Sequence, residues 1–218
     1  MKTAFAFLAA MAAASSATAF TPETIPGALA PVGFFDPLGF AAKANEATLK
    51  RYREAELTHG RVAMLAAVGF LVGEAVEGKS VLWDASITGP AINHLPQVPP
   101  ILWVFIGAGI AKAESIRAEI GWVEPENVPV DKPGQLREEY IPGNLGFDPL
   151  GLYPQDEAGQ MRMQTTEIKN GRLAMIAISA FAFQEFASKL GVVNETPIFF
   201  KPIGGVMTEY ANSGYIVH

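Results

Sequence analysis

The chain has 218 residues, half of them apolar, a mean hydropathy of +0.22 and a formal charge of -6. The absence of cysteine excludes a disulfide framework and any thiolate metal site, and the acidic balance argues against nucleic acid as a partner. The length suits a single folded domain.

Residues 1–19 read as a signal peptide. Lys2 is the sole charge before Glu23, Ala4 to Ala14 form a short apolar run, and Ala17-Thr18-Ala19 is an A-x-A cleavage site. The run is too short to span a bilayer. Cleavage there leaves Phe20 at the new start, which resembles the bipartite presequence of red-lineage secondary plastids such as those of diatoms. An ordinary secretory signal fits the same residues. Residues 20–32 are rich in Pro, Gly and Ala and read as a transit or linker segment.

Residues 33–190 carry three predicted helices. The first runs from about Glu46 to Gly73, charged at its start and apolar from Val62 to Val72. Gly73 to Pro100 is broken by glycines and prolines and predicts a loop with short elements only. The second helix runs from Ile101 to about Ile120. Its apolar part ends near Ala113, short of the ~20 residues a span usually needs; it is read as a span, with a buried helix of a soluble protein as the alternative. Glu124 to Pro154 is proline-rich and predicts an exposed connector. The third helix runs from about Asp156 to Ser188. Residues 191–218 read as an irregular tail with a short amphipathic piece at Val206 to Ile216.

The outer helices carry the same text. Glu56-Leu-Thr-His-Gly-Arg-Val-Ala-Met64 returns as Glu167-Ile-Lys-Asn-Gly-Arg-Leu-Ala-Met175, and the likeness continues to Glu74 and Glu185. Each copy has its own lead-in, Phe35-Asp-Pro-Leu-Gly39 and Phe147-Asp-Pro-Leu-Gly151. With one span between them, the copies cross the membrane in the same direction, related by a local two-fold axis along its normal. Charges beside a membrane-grade apolar run are costly unless paired. Glu56 and Arg61 lie about 140° apart around one helix and cannot easily meet. The duplication offers Glu56 with Arg172 and Glu167 with Arg61, while Gly60, Ala63, Gly171 and Ala174 permit close approach. Four independently snorkelling charges are the alternative.

His59 and Asn170 take equivalent places one turn after each Glu. The stripe offers isolated single donors at different depths, not a converging set. That suits a cation whose coordination is nearly filled, such as the magnesium of a chlorophyll. Gln184 lies about 21 Å beyond Asn170 along the helix, as a second pigment layer requires; its counterpart is Gly73, which has no donor. Glu114, one turn before Arg117, repeats the Glu-plus-Arg pairing within the middle helix. A polar helix end is the alternative for Gln184 and Glu114.

The doubled E-x-x-H/N-x-R-x-A-M helices with F-D-P-L-G lead-ins resemble the light-harvesting chlorophyll-binding proteins, from about Val32 to Ser188. The resemblance implies an all-α membrane protein with three transmembrane helices, the outer two a crossed pseudo-two-fold repeat, plus short amphipathic segments. It implies that Glu56, His59, Glu114, Glu167, Asn170 and Gln184 are axial ligands to chlorophyll magnesium, and that Arg61 and Arg172 form crossed bridges. A further ligand of the middle helix would fall near Ile106, which cannot ligate. Two carotenoids would lie beside the outer helices, their ends held by the F-D-P-L-G loops. Lys50-Arg-Tyr-Arg-Glu-Ala-Glu-Leu-Thr-His-Gly-Arg-Val-Ala-Met64, Gly89-Pro-Ala-Ile-Asn-His94, Ile120-Gly-Trp-Val123 and Lys132-Pro-Gly134 resemble the stress-related branch of diatom fucoxanthin chlorophyll a/c proteins. Chlorophyll a, chlorophyll c, fucoxanthin and diadinoxanthin or diatoxanthin are then the implied cofactors. Photosystem I or II cores, other antenna subunits and thylakoid lipids are the implied partners. The implied location is the plastid thylakoid membrane, multi-pass, with Glu74 to Pro100 and the tail after Ser188 facing the lumen. Glu77, Asp84, His94, Glu195 and Glu209 would be its lumenal titratable groups; His94 closing a turn within Gly89 to Pro96 is the alternative for that residue.

The expected function is binding of chlorophyll and carotenoid with dissipation of excess excitation and some light harvesting. An ordinary antenna subunit is the alternative within the same fold. A small ion-coupled transporter, with the Glu and Arg residues as a relay, is the alternative from another class. No nucleophile–base–acid set or phosphate loop points to an enzyme.

Overall fold

A computed structural model describes residues 26–28, 30–76, 87–127, 134–200 and 205. The signal peptide, most of the linker, Glu77, Asp84, Glu209 and the amphipathic piece Val206 to Ile216 lie outside the described residues.

Three long helices dominate. Helix α1 spans Glu46–Ala75, α2 Pro100–Gly121 and α3 Glu157–Ser188. Each begins where its sequence supplies a start. The Asn45 side chain accepts from Thr48 N at 2.9 Å, and Asp156 accepts from Gly159 N at 2.7 Å, satisfying amides that a first turn leaves bare. Pro100 opens α2 at the position where a missing N–H costs nothing. Helix α3 stops at Lys189, whose φ of 62° is left-handed. The described residues hold no strand; an isolated antiparallel bridge joins Trp122 and Leu136.

The outer helices α1 and α3 pack on each other, and they meet most closely at glycine on glycine. A Cβ added to Gly60 would lie 3.0 Å from Gly171 Cα, and the reverse distance is the same. Leu57, Ala63, Ile168 and Ala174 are buried around this crossing. Helix α2 stands apart, with Gly121 as its buried residue. Ile101, Val104, Phe105 and Ile110 are exposed along it.

Two expectations change. Over residues 192–200 the chain is not irregular: α4 spans Val192–Glu195 and α5 Pro197–Phe200. The connector is not uniformly exposed: Leu136 is buried, and Tyr140 is buried against Gly121 of α2 and Glu54 of α1. The loop before α2 does hold short elements, 3-10 turns at Ala91–Asn93 and Leu95–Gln97. Among the described residues, α1 alone is by length and composition long and apolar enough to cross a membrane. A second crossing is reached if Ala91–Gln97 and α2, bent by 105°, count as one span. Helix α3 is longer than α1, but Arg172, Gln184 and Glu185 interrupt its apolar half.

Candidate functional site

The crossed ion pairs are present. Arg61 Nε donates to Glu167 Oε1 at 2.7 Å, and Arg172 Nε donates to Glu56 Oε1 at 2.7 Å. Each guanidinium also reaches a backbone carbonyl, Arg61 to Gly143 O and Arg172 to Gly27 O, both at 2.8 Å. These two glycines have φ of 84° and 101° and lie against Leu57 and Ile168, where a side chain has no room. Arg61 and Arg172 thus make matching bonds from opposite helices.

The other two equivalent charges act at the far end. Glu74 is buried and accepts from Val192 N at 2.9 Å and Val193 N at 2.8 Å. Glu185, fully buried, accepts from Ile92 N at 2.7 Å. Glu74 thus holds the first two amides of α4, and Glu185 holds one amide of the 3-10 turn Ala91–Asn93. Near them His94 Nε2 donates to Gly89 O at 2.6 Å. His94 therefore closes its own turn.

The lead-in loops are built alike. Asp36 accepts from Phe40 N and Ala41 N, and Asp148 from Leu152 N and Tyr153 N, at 2.7–3.0 Å. Those amide donors hold the Asp148 carboxyl below the usual carboxylate range. Gly39 and Gly151 supply the positive φ each turn requires. The apolar residues of the loops face outward, Phe35 at 73% and Phe147 at 86% exposure.

The predicted donors remain unspent on the protein to different degrees. His59 is exposed, and its Nδ1 lies 2.7 Å from Ala55 O. A carbonyl only accepts, so Nδ1 carries the hydrogen and Nε2 keeps its lone pair. Asn170 is exposed, and Gln184 is half-buried on the same helix. Glu167 uses one oxygen on Arg61. Glu114 pairs with Arg117 at 2.9 Å and stays 57% exposed. Glu56 uses both oxygens, the second on Arg53 Nη1 at 2.8 Å. An open groove of about 590 Å³ runs between α1 and α3, lined by His59, Val62, Ala66, Met175, Ile178 and Ser179. Such a lining accepts an elongated apolar or planar molecule, with His59 as its polar contact.

Sequence reasoning missed a third cluster. Glu54, 3% exposed, accepts from Arg117 Nε at 2.9 Å, Tyr140 Oη at 3.1 Å and Gly143 N at 2.8 Å. Burial, and then the Glu54 charge, push the Tyr140 hydroxyl up to about 12. This cluster ties α2 and the connector to α1. One signal was available: Glu54 falls among charges that open α1, two residues before a pairing Glu.

The family model for chlorophyll A-B binding protein matches residues 21–186. The chain belongs to that family. Light-harvesting complex stress-related protein 3.2, chloroplastic, of Chlamydomonas reinhardtii is 46% identical over 194 residues, 88% of this chain and 71% of that protein. Fucoxanthin-chlorophyll a-c binding protein, chloroplastic, of Isochrysis galbana is 46% identical over 166 residues, 75% and 77% of the two chains. Fucoxanthin-chlorophyll a-c binding protein F, chloroplastic, of Phaeodactylum tricornutum is 36% identical over 193 residues, 87% and 90%. The matched region of this chlorophyll A-B binding protein family member contains α1, all but the last two residues of α3, both ion pairs and the groove.

Proposed function

We propose that this protein binds chlorophyll and carotenoid in the thylakoid membrane of a plastid, where it dissipates excess excitation and also harvests light. The observation that carries the reading is His59 on the groove, with Nδ1 committed to Ala55 O and Nε2 free for one axial bond to magnesium. Glu56, Glu114, Glu167, Asn170 and Gln184 are the remaining proposed axial ligands. Arg61 and Arg172 offset the carboxylates and hold the site together. The relatives' names support chlorophyll and fucoxanthin as the pigment classes, with chlorophylls a and c as the proposed types; diadinoxanthin or diatoxanthin are proposed as further carotenoids from the sequence resemblance alone. The stress-related relatives support the dissipative role.

In this reading α1, α2 and α3 all cross the membrane, α1 and α3 in the same direction about a two-fold axis. Pairing removes the cost of the α3 charges that make it less apolar than α1. The apolar residues exposed on α2 then face pigments and lipid. The F-D-P-L-G loops hold carotenoid ends. Photosystem I or II cores and other antenna subunits are the proposed partners. Residues 1–19 are the signal peptide, 20–32 the transit segment, 33–190 the pigment-binding domain and 191–218 a lumenal tail.

The test is reconstitution with extracted pigments. His59→Leu and Asn170→Leu should each fold and lose about one chlorophyll. Unchanged chlorophyll content in both variants would overturn the ligand reading. Fluorescence lifetime of the wild-type protein in membranes separates dissipation from the antenna alternative: a quencher shortens it under stress conditions, an antenna does not.

A further inference from the structure

The two proposed carboxylate ligands are equivalent in sequence but not in surroundings. Glu167 meets one guanidinium, that of Arg61 at 2.7 Å. Glu56 meets two, Arg172 Nε on Oε1 at 2.7 Å and Arg53 Nη1 on Oε2 at 2.8 Å. The Arg53 side chain is 11% exposed, so water screens this charge little. The place on α3 equivalent to Arg53 is Gln164, whose amide donates to Tyr153 Oη at 2.8 Å and carries no charge.

We propose that Arg53 is a positioning residue that makes the Glu56 pigment site electrically distinct from the Glu167 site. The proposal rests on the reading of Glu56 as a magnesium ligand. A carboxylate has about four lone-pair sites on two oxygens. At Glu56 both oxygens already accept a charge-assisted bond, so the magnesium takes a remaining lone pair of an oxygen whose electron density is drawn toward two cations. At Glu167 one oxygen has no guanidinium on it. Glu56 with Arg53 and Arg172 sums to one positive charge; Glu167 with Arg61 sums to zero. A chlorophyll on Glu56 therefore has a weaker axial donor than one on Glu167. It also sits beside a fixed positive charge that its twin lacks, and such a charge shifts the energy of its lowest absorption band.

Two substitutions test this in opposite directions. Arg53→Gln should keep chlorophyll stoichiometry, move one chlorophyll's red absorption band in a low-temperature difference spectrum, and slow that chlorophyll's release in detergent. Arg53→Lys keeps the charge and should restore the wild-type band. Gln164→Arg places a second cation beside Glu167 and should move a different band, whether or not Arg53→Gln assembles. Red-region spectra of Arg53→Gln and Gln164→Arg that superimpose on wild type would overturn the proposal; if Arg53→Gln does not assemble, a wild-type spectrum for Gln164→Arg does so alone. The double variant Glu56→Leu/Arg172→Leu removes the ligand without stranding its partner. If it keeps every chlorophyll, Glu56 is not a ligand, and the reading beneath the proposal fails first. If it loses one while the Arg53 and Gln164 variants match wild type, only the role of Arg53 fails.

Discussion

At the scale of single residues, the chain separates donors that hold the protein from donors left over for something else. Arg172 illustrates the first kind. Its guanidinium joins α3 to Glu56 on α1 and to the carbonyl of Gly27 in the segment before the first lead-in loop. Arg172→Leu removes the bridge between α3 and α1 and leaves Glu56 paired with Arg53 on its own helix. The Arg172 and Glu56 side chains are 43% and 28% exposed, so the loss is that of a charge-assisted hydrogen bond, about 1.5–3 kcal/mol, and not that of a fully buried pair. Leu173, one residue on, is 65% exposed and pairs with nothing charged. Reconstitution yield and thermal stability should fall sharply for Arg172→Leu and little for Leu173→Ala. Equal behaviour of the two variants would remove the crossed pairs from the account of stability. Both pairs were legible before any fold was known, because identical residues in two helices have one arrangement that leaves no bare charge. Arg53 was not legible as a partner of Glu56. Its side chain reaches one turn along its own helix, and the local sequence is too rich in charge to single it out.

Among the elements, the decisive contact is backbone on backbone. Helices that approach through glycine gain close packing at the expense of any side chain there. Gly60→Ala or Gly171→Ala puts a methyl 3.0 Å from the opposite Cα, so the helices must part. Overpacking of this kind costs about 1–3 kcal/mol, outweighing the helix propensity gained with alanine. Thermal unfolding followed by circular dichroism should show both variants less stable than wild type. Gly69→Ala, which meets no protein atom within 4 Å, should show no such loss from protein packing. The three long helices and their approximate ends were readable from apolar runs, opening charges and the glycine- and proline-rich stretches between them. Helices α4 and α5 were not, because four-residue helices carry no period, and a carboxylate reaching from α1 organises the first of them. The burial of Tyr140 was hidden for a similar reason: its partner Glu54 is distant in the chain, and proline-rich sequence reads as surface.

For the molecule as a whole, the attachments of α2 set an alkaline limit. Folding holds the Tyr140 proton more tightly than the unfolded chain, whose tyrosines titrate near about 10. That contribution is complete below about pH 10 and is lost as pH rises toward about 12. Tyr140→Phe should lose about 1 kcal/mol at neutral pH with its hydrogen bond, yet decline less steeply than wild type above pH 10. Unfolding temperatures at several pH values would show the two curves converging; parallel curves would mean that Tyr140 does not carry the dependence. The glycine crossing has a mechanical consequence of its own. Gly60 and Gly171 sit near the midpoints of helices of 30 and 32 residues, so the crossing is a fulcrum with arms of about 20 Å on either side. A turn of about 5° there moves each tip by nearly 2 Å. Glu74 and Glu185 grip one pair of tips, so a rigid pivot at the glycines would open the other mouth by about as much as this one, as in a pair of scissors.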